Sequence, residues 1–221
     1  MNNIKQIVCL LILSIATLSC NSYNQVETQT CSKNPQGDFE QTFKTFNSQV
    51  FFHHDLLGDL LSAGTLRSIQ DGTVEERQVE VMDTITASLL SSSKAFLSQL
   101  GISDSDILLA YNTKRDIKEL TDEDIVGLAL FLHSCFVANG VGETNNLRAT
   151  VDRAKDCFLE ATGIAAGVGV IGALTGKALS KSALKAVLKL AAKVGGRSLA
   201  GIGLALVAAE FTYCMMTDEI Q

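Results

Sequence analysis

The chain is poor in residues that interrupt helices and in segments that favour strands. Its 221 residues include one proline and no tryptophan, whereas alanine and leucine are frequent. No segment alternates β-branched and polar residues between turn signals, so the sequence gives no support for a β-sheet. Apolar residues at helical spacing predict an all-α fold, a helical bundle with a Gly- and Ala-rich C-terminal hairpin or three-helix unit. The length suffices for one substantial core or for two small cores that share an interface.

The sequence also lacks the patterns that carry chemistry. It has no Ser/His/Asp order, no G-x-S-x-G elbow, no Gly-rich loop between a strand and a helix, and no paired carboxylates in an apolar setting. The three histidines, His53, His54 and His133, are not spaced to complete a zinc set with the cysteines. The acidic stretch 103–106 lacks the other ligands of a calcium loop. We therefore predict no enzymatic activity, no metal and no cofactor.

The N-terminal residues have the pattern of an export signal. A polar, positively charged start precedes an apolar run from Ile7 to Leu13, and small residues follow up to Cys20. This run is too short to span a bilayer and predicts a cleaved signal peptide over residues 1–19. A small residue before Cys20 resembles the signals of bacterial lipoproteins, which implies lipidation of Cys20 and a place in the cell envelope. Thr17 stands where those signals usually carry leucine, so ordinary cleavage and secretion is the alternative.

Charge is distributed unevenly along the rest of the chain. After a polar tether over residues 20–37, we expect an acidic helical domain over 38–163 and a cationic, Gly- and Ala-rich apolar segment over 164–216. Residues 21–163 carry 21 acidic and 11 basic side chains. Residues 164–214 carry six basic side chains and one acidic side chain, that of Glu210. Two interpretations follow: the acidic portion shields the basic segment until it meets an anionic surface, or the basic helix simply lies at the surface of an acidic body.

Helical periodicity and capping signals place five helices in the acidic domain. The first begins at Asp38 and ends before Gly64, and the second runs from Val74 to Leu100 with Gly101 as its C-cap. The serines at 91–93 weaken the second helix without necessarily kinking it. The remaining three are a short helix after the N-cap cluster at 103–106, a helix capped by Thr121 that ends near Ala138, and a helix from about Asn145 to Gly163.

The cysteines predict disulfides. Outside the leader and Cys20, four cysteines remain, and an even number in an exported protein favours pairing with three connectivities. Because Cys157 and Cys214 bracket the Gly-rich segment, the preferred pairing joins them and leaves Cys31 to pair with Cys135. Three full-length antiparallel helices would place the ends of this segment at opposite poles, so the pairing requires one helix to be short or bent.

Two spacing patterns mark the C-terminal segment. Glycines at small-x-x-x-small spacing predict close packing of helix backbones; they are Gly163, Gly167, Gly172 and Gly176. Basic residues recur every fourth position opposite an apolar face and predict a basic amphipathic helix that binds membranes; they are Lys177, Lys181, Lys185, Lys189, Lys193 and Arg197. The pair Gly195-Gly196 separates this helix from a last apolar helix.

The cationic, small-residue-rich segment resembles circular, saposin-like bacteriocins, and its pairing with a helical body resembles colicin-type pore formers. The resemblance covers about a quarter of the chain and assigns no individual residue. It implies an exported protein whose C-terminal helices bind or perturb anionic lipid membranes, as an antibacterial toxin or surface effector. The alternative is a structural or partner-binding envelope lipoprotein whose core is formed by the same helices, with an envelope protein as its partner. We expect no nucleic-acid partner, and we expect interfacial binding rather than a pore because the apolar stretches are short.

Overall fold

The computed structural model describes residues 35–63, 76–112, 119–138, 151–163, 181–195 and 200–216. Within these ranges the chain forms α-helices and no strand, which confirms the all-α prediction. The helices are α1 Pro35–Phe52, α2 His54–Ser62, α3 Glu76–Gln99, α4 Asp104–Asn112, α5 Asp122–Val137, α6 Val151–Thr162, α7 Lys181–Gly195 and α8 Ala200–Met216.

Helices α5 and α8 form the centre of the structure. Every residue from Asp124 to Phe136 in α5 is buried, and the residues from Leu204 to Ala209 in α8 are also buried. A helix that is apolar on all sides must be surrounded by other helices. Accordingly, α8 packs most extensively on α5 and also contacts α6, α2, α7 and α3, while α5 packs on α3 as well.

Amphipathic helices cover this central pair with one face each. In α1 the buried residues Phe43, Phe46 and Val50 recur at helical spacing, and in α3 the residues Met82, Ile85, Leu89 and Phe96 do the same. Phenylalanines join the layers, since Phe46 stacks on Phe96 with ring centroids 5.0 Å apart.

The described helices share one hydrophobic core. Buried residues of α7 and α8 belong to the same cluster as those of α1 to α6, and all eight helices lie in the compact unit that begins at Asn34. Of the two arrangements that the sequence allows, one substantial core is therefore the one observed. The expected boundary between residues 163 and 164 does not divide it.

The chain breaks its first helix where the sequence predicts continuity. The prediction of one helix from Asp38 to the residues before Gly64 is wrong, because α1 ends at Phe52 and α2 begins at His54. His53 has φ −101° and ψ 21°, outside the helical region. Nδ1 of His54 lies 2.9 Å from the Phe51 carbonyl oxygen, the acceptor that a continuous helix would offer to a backbone amide four residues later.

Two predicted helix ends are confirmed, the C-terminal end of α3 at Gly101 and the N-terminal cap of α5 at Thr121. Gly101 ends α3 with φ 70°, a conformation that favours glycine. Thr121 caps α5, since its Oγ1 accepts a hydrogen bond from the Asp124 amide and the Asp124 carboxylate accepts one from the Thr121 amide, each at 3.2 Å. Helix α3 continues through the serines at 91–93.

Candidate functional site

Helix α7 is amphipathic, with its two faces in different environments. The lysine face, which we define as Lys185, Lys189 and Lys193, is exposed to solvent. On the opposite side Val187 and Ala191 are fully buried. This side is buried because α7 packs on α8, α4 and α5. The exposed surface of α7 is therefore cationic, and its apolar side faces the protein core.

Among the residues that the structure describes, no acidic side chain pairs with the lysine face. Among the described residues, the ion pairs join Lys44 to Glu40 and Lys94 to Asp122, and Nε2 of His54 lies 3.0 Å from Oδ1 of Asp55. No carboxylate in the described ranges lies within 4.0 Å of the three ammonium groups of the lysine face. The described acidic residues thus do not provide the shielding that charge asymmetry suggests, and the exposed ammonium groups can meet an external anion.

Three members of the predicted basic series cannot be placed on this face. Lys177 and Arg197 lie outside the described residues, and Lys181 begins α7 without a described side chain.

The predicted glycine contacts divide in a similar way. Gly167, Gly172 and Gly176 lie outside the described residues, whereas Gly163 follows α6 with φ 61°. A Cβ placed at Gly163 would have no atom within 4 Å. Gly163 therefore ends α6, and no described atom lies close to it. Its expected packing with the other glycines of this series stays a prediction, because they lie outside the described residues.

Close backbone packing occurs instead at two glycines that the spacing argument missed. A Cβ at Gly127 of α5 would lie 2.8 Å from the Cα of Gly201 in α8, and one at Gly201 would lie 2.6 Å from the Asp124 amide nitrogen. Real Cβ atoms do not approach backbone atoms so closely, so both positions require glycine. A glycine inside the uninterrupted apolar run 125–132 was the available signal, because a buried helix interior otherwise disfavours glycine.

The preferred disulfide is present. Cys157 of α6 and Cys214 of α8 are bonded, with their Cα atoms 5.6 Å apart. These two helices pack directly against each other, and Phe158 contacts Phe211 in an edge-on arrangement. The guanidinium of Arg153 also donates a hydrogen bond of 2.7 Å to the Cys214 carbonyl oxygen. Cys157 lies in the middle of α6, a helix of 12 residues, and the packing of α6 on α8 brings it to Cys214.

The expected Cys31–Cys135 pairing lies outside the described residues at its Cys31 end. Cys135 itself is fully buried in α5, and this burial raises the pKa of its thiol. A buried thiol with a raised pKa is a poor nucleophile.

The histidines separate into two environments. His53 and His54 lie at the break between α1 and α2, whereas His133 is buried in α5. Burial lowers the pKa of His133 to about 3, so its imidazole is neutral near pH 7. Within the described ranges no group of three or more His, Cys, Asp or Glu side chains could hold a metal ion.

None of the described helices is both long enough and apolar enough to cross a membrane. No protein-family model, curated protein or solved structure matches the chain. The lysine face can attract an anionic surface, and it offers no nucleophile, acid or base in an enclosed site.

Proposed function

We propose that this chain is an exported helical protein that associates with anionic membranes through the lysine face of α7. The observation that carries the proposal is the exposure of three lysines on one helix face with no carboxylate in the described ranges to neutralise them. A basic residue near an anionic bilayer contributes about 1 kcal/mol, so three contribute roughly 3 kcal/mol.

Attachment in this state is peripheral. The apolar face of α7 that would enter a bilayer is already buried, with Val187 and Ala191 fully inaccessible. Turning that face towards lipid would remove it from the protein core. Since the face is already shielded from water in the core, contact with lipid would bury no additional apolar area. Helix α8 is further restrained by its disulfide to α6. The folded protein therefore binds by charge, and permeabilisation of the membrane is not part of its resting state.

Export and anchoring belong to the same proposal. The short apolar leader and Cys20 support a lipid anchor. The predicted tether ends before residue 37, because α1 already begins at Pro35, and the polar residues between Cys20 and α1 would let the helical unit reach the bilayer surface. A fatty-acid analogue should label the wild-type chain in cells, and Cys20→Ala should remove the label and reduce membrane retention. If Cys20→Ala is retained at the membrane as well as the wild type is, the lipid anchor is contradicted, and ordinary cleavage with secretion is the remaining alternative.

A structural or partner-binding role in the envelope is the second candidate. It is favoured by the burial of the apolar residues of α7 and α8 in the same core as the other helices. In that case the lysine face is an ordinary solvated helix surface, and an envelope protein rather than lipid would be the partner.

Vesicle binding separates the two candidates. The mature chain with Cys20→Ala, which cannot carry the lipid anchor, serves as the wild type and is titrated with vesicles of phosphatidylcholine and phosphatidylglycerol. It is compared with the same chain carrying Lys185→Gln, Lys189→Gln and Lys193→Gln. Glutamine keeps a good helix former at each position. The matched control is Lys44→Gln, Arg77→Gln, Lys94→Gln, which removes the same charge from exposed positions of α1 and α3.

The proposal predicts that the lysine-face variant binds about two orders of magnitude more weakly than the wild type, because roughly 3 kcal/mol is lost. The control variant should lose much less. Equal loss in both variants would show that only net charge matters, and absence of binding by the wild type would favour the envelope role. Release of trapped dye by the wild type would instead support a membrane-perturbing toxin.

A further inference from the structure

One turn of α1 encloses the buried imidazole of His133. Nε2 of His133 lies 2.8 Å from Oδ1 of Asn47, and both side chains are buried. The ring of Phe43 stacks on the imidazole at 5.4 Å, and the ring of Phe46 meets it edge-on at 5.7 Å. Three residues of a single helix therefore contact this imidazole and contribute to its burial.

Helix α1 is an outer element of the core. It packs mainly on α3 and makes smaller contacts with α2 and α5, whereas α5 and α8 share the most extensive contact among the described helices. The α5–α8 contact is also closed by Gly127 and Gly201, and α6 is bonded to α8 by the disulfide. Separation of α1 would thus leave the central helices in place while it exposes His133.

No charge near His133 favours a protonated imidazole in the packed state. Burial alone lowers its pKa. On α5 the buried ionisable neighbours are the Cys135 thiol and Asp124, and Asp124 lies nine residues earlier, roughly 13 Å along the helix. The charged groups of the helices that pack on α5 are exposed or only half-buried. Those described are Asp38, Glu40 and Lys44 on α1, Glu76, Arg77, Glu80, Asp83 and Lys94 on α3, Arg153, Asp156 and Glu160 on α6, Lys185, Lys189 and Lys193 on α7, and Glu210 on α8.

We propose that the Asn47–His133 contact is an acid-sensitive latch, and that acid releases α1 from α3 and α5 while α5, α6 and α8 stay packed. A solvated imidazole binds a proton below about pH 6.5, and the enclosed imidazole does not. Each pH unit below that value therefore raises the population of the α1-released form about tenfold. Release would expose Phe96 and Phe136, which the rings of α1 now cover. The latch does not depend on the lysine face or on lipid.

Amide hydrogen exchange between pH 7 and pH 5 tests this latch in the full mature chain without lipid. After correction for intrinsic rates, the amides of Phe46 and Val50 should lose about tenfold in protection per pH unit below pH 6.5. They should also be less protected than the amides of Leu206 and Val207 in α8 at every pH, because release of α1 is less costly than global unfolding. In His133→Gln, which keeps a side-chain amide for Asn47, this pH dependence should disappear.

Three results would overturn the proposal. Protection of the α1 amides that does not change with pH would show that His133 stays enclosed when α1 opens. Equal protection in α1 and α8 would show that only global unfolding exposes the imidazole. A pH dependence that persists in His133→Gln would assign it to another group. If His133→Gln does not fold, Asn47→Ala serves instead. In this variant the α1 amides should be less protected at pH 7, and their protection should still fall about tenfold per pH unit below pH 6.5. Protection that no longer depends on pH in Asn47→Ala would contradict the latch.

Discussion

Gly127 of α5 and Gly201 of α8 pack with their backbones in direct contact, and neither position has room for a Cβ atom. This contact lies where the first turns of the two central helices meet, since Gly201 also approaches the backbone of Glu123 and Asp124. The most buried pair of helices in the described structure is thus aligned by two residues that lack side chains. It follows that substitutions at these glycines should be costly.

Gly127→Ala should destabilise the protein by about 1–3 kcal/mol, because the added methyl group forces two helix backbones apart. Gly58 provides the matched control, since it lies inside α2 and a Cβ there would have no atom within 4 Å. Gly58→Ala should stabilise the protein by about 0.5–1 kcal/mol through helix propensity. Urea denaturation measures both changes, and a neutral Gly127→Ala would show that the α5–α8 contact is looser than described.

Removing the disulfide should lower stability by about 4 kcal/mol, since Cys157 and Cys214 are 57 residues apart and their bond limits the unfolded chain. The double variant Cys157→Ser, Cys214→Ser tests this by denaturation. Peptide mapping without reductant should recover both cysteines in one linked fragment, and the link should disappear after reduction. Recovery of either cysteine bound to a different partner would contradict the pairing.

Loss of the α5 cap should have a smaller effect. Thr121→Ala removes the hydroxyl that accepts from the Asp124 amide and should cost about 1 kcal/mol. Thr84→Ala is a suitable control, because the exposed Thr84 hydroxyl only bonds the Glu80 carbonyl within the same helix. Thermal unfolding of the two variants should therefore differ, and equal melting temperatures would argue against the capping box.

Stability should fall with acid because of His133. The pKa of His133 in the folded protein, about 3, lies below its ordinary value of 6.5. Between these two pH values the unfolded chain binds more protons than the folded chain, so the free energy of unfolding decreases as pH falls. Between pH 6.5 and pH 5 the free energy of unfolding should fall by about 2 kcal/mol because of His133. Denaturation of the wild type and of His133→Gln at both pH values isolates the effect from that of the carboxyl groups. The same loss in both proteins would exclude His133 as the source.

Local features of the fold could be predicted from the sequence, whereas contacts between distant segments could not. Capping by Thr121 and the end of α3 at Gly101 depend on neighbouring residues, and the structure confirms both. The break at His53 was missed because helical periodicity continues across it. The role of Gly127 was missed because it depends on Gly201, which is far away in sequence and follows no fixed spacing from it.

The candidate site shows the same division. The four-residue spacing of lysines correctly predicts one cationic face on α7, because that face is a property of a single helix. Spacing alone could not show whether the apolar face meets lipid or protein. That choice depends on α8 and α4, which cover it. The membrane proposal is accordingly limited to the lysines that remain exposed.

Release of the bound protein by salt tests the account most directly. The mature chain with Cys20→Ala, which cannot carry the lipid anchor, keeps its disulfide and is sedimented with vesicles of phosphatidylcholine and phosphatidylglycerol. It is then washed with about 1 M salt, which shortens the Debye length to about 3 Å. The account predicts binding that requires phosphatidylglycerol and is fully reversed by the wash, since only the lysine face contacts the lipid. Protein that remains on the vesicles after the wash would show that apolar helices have entered the bilayer and would contradict peripheral attachment.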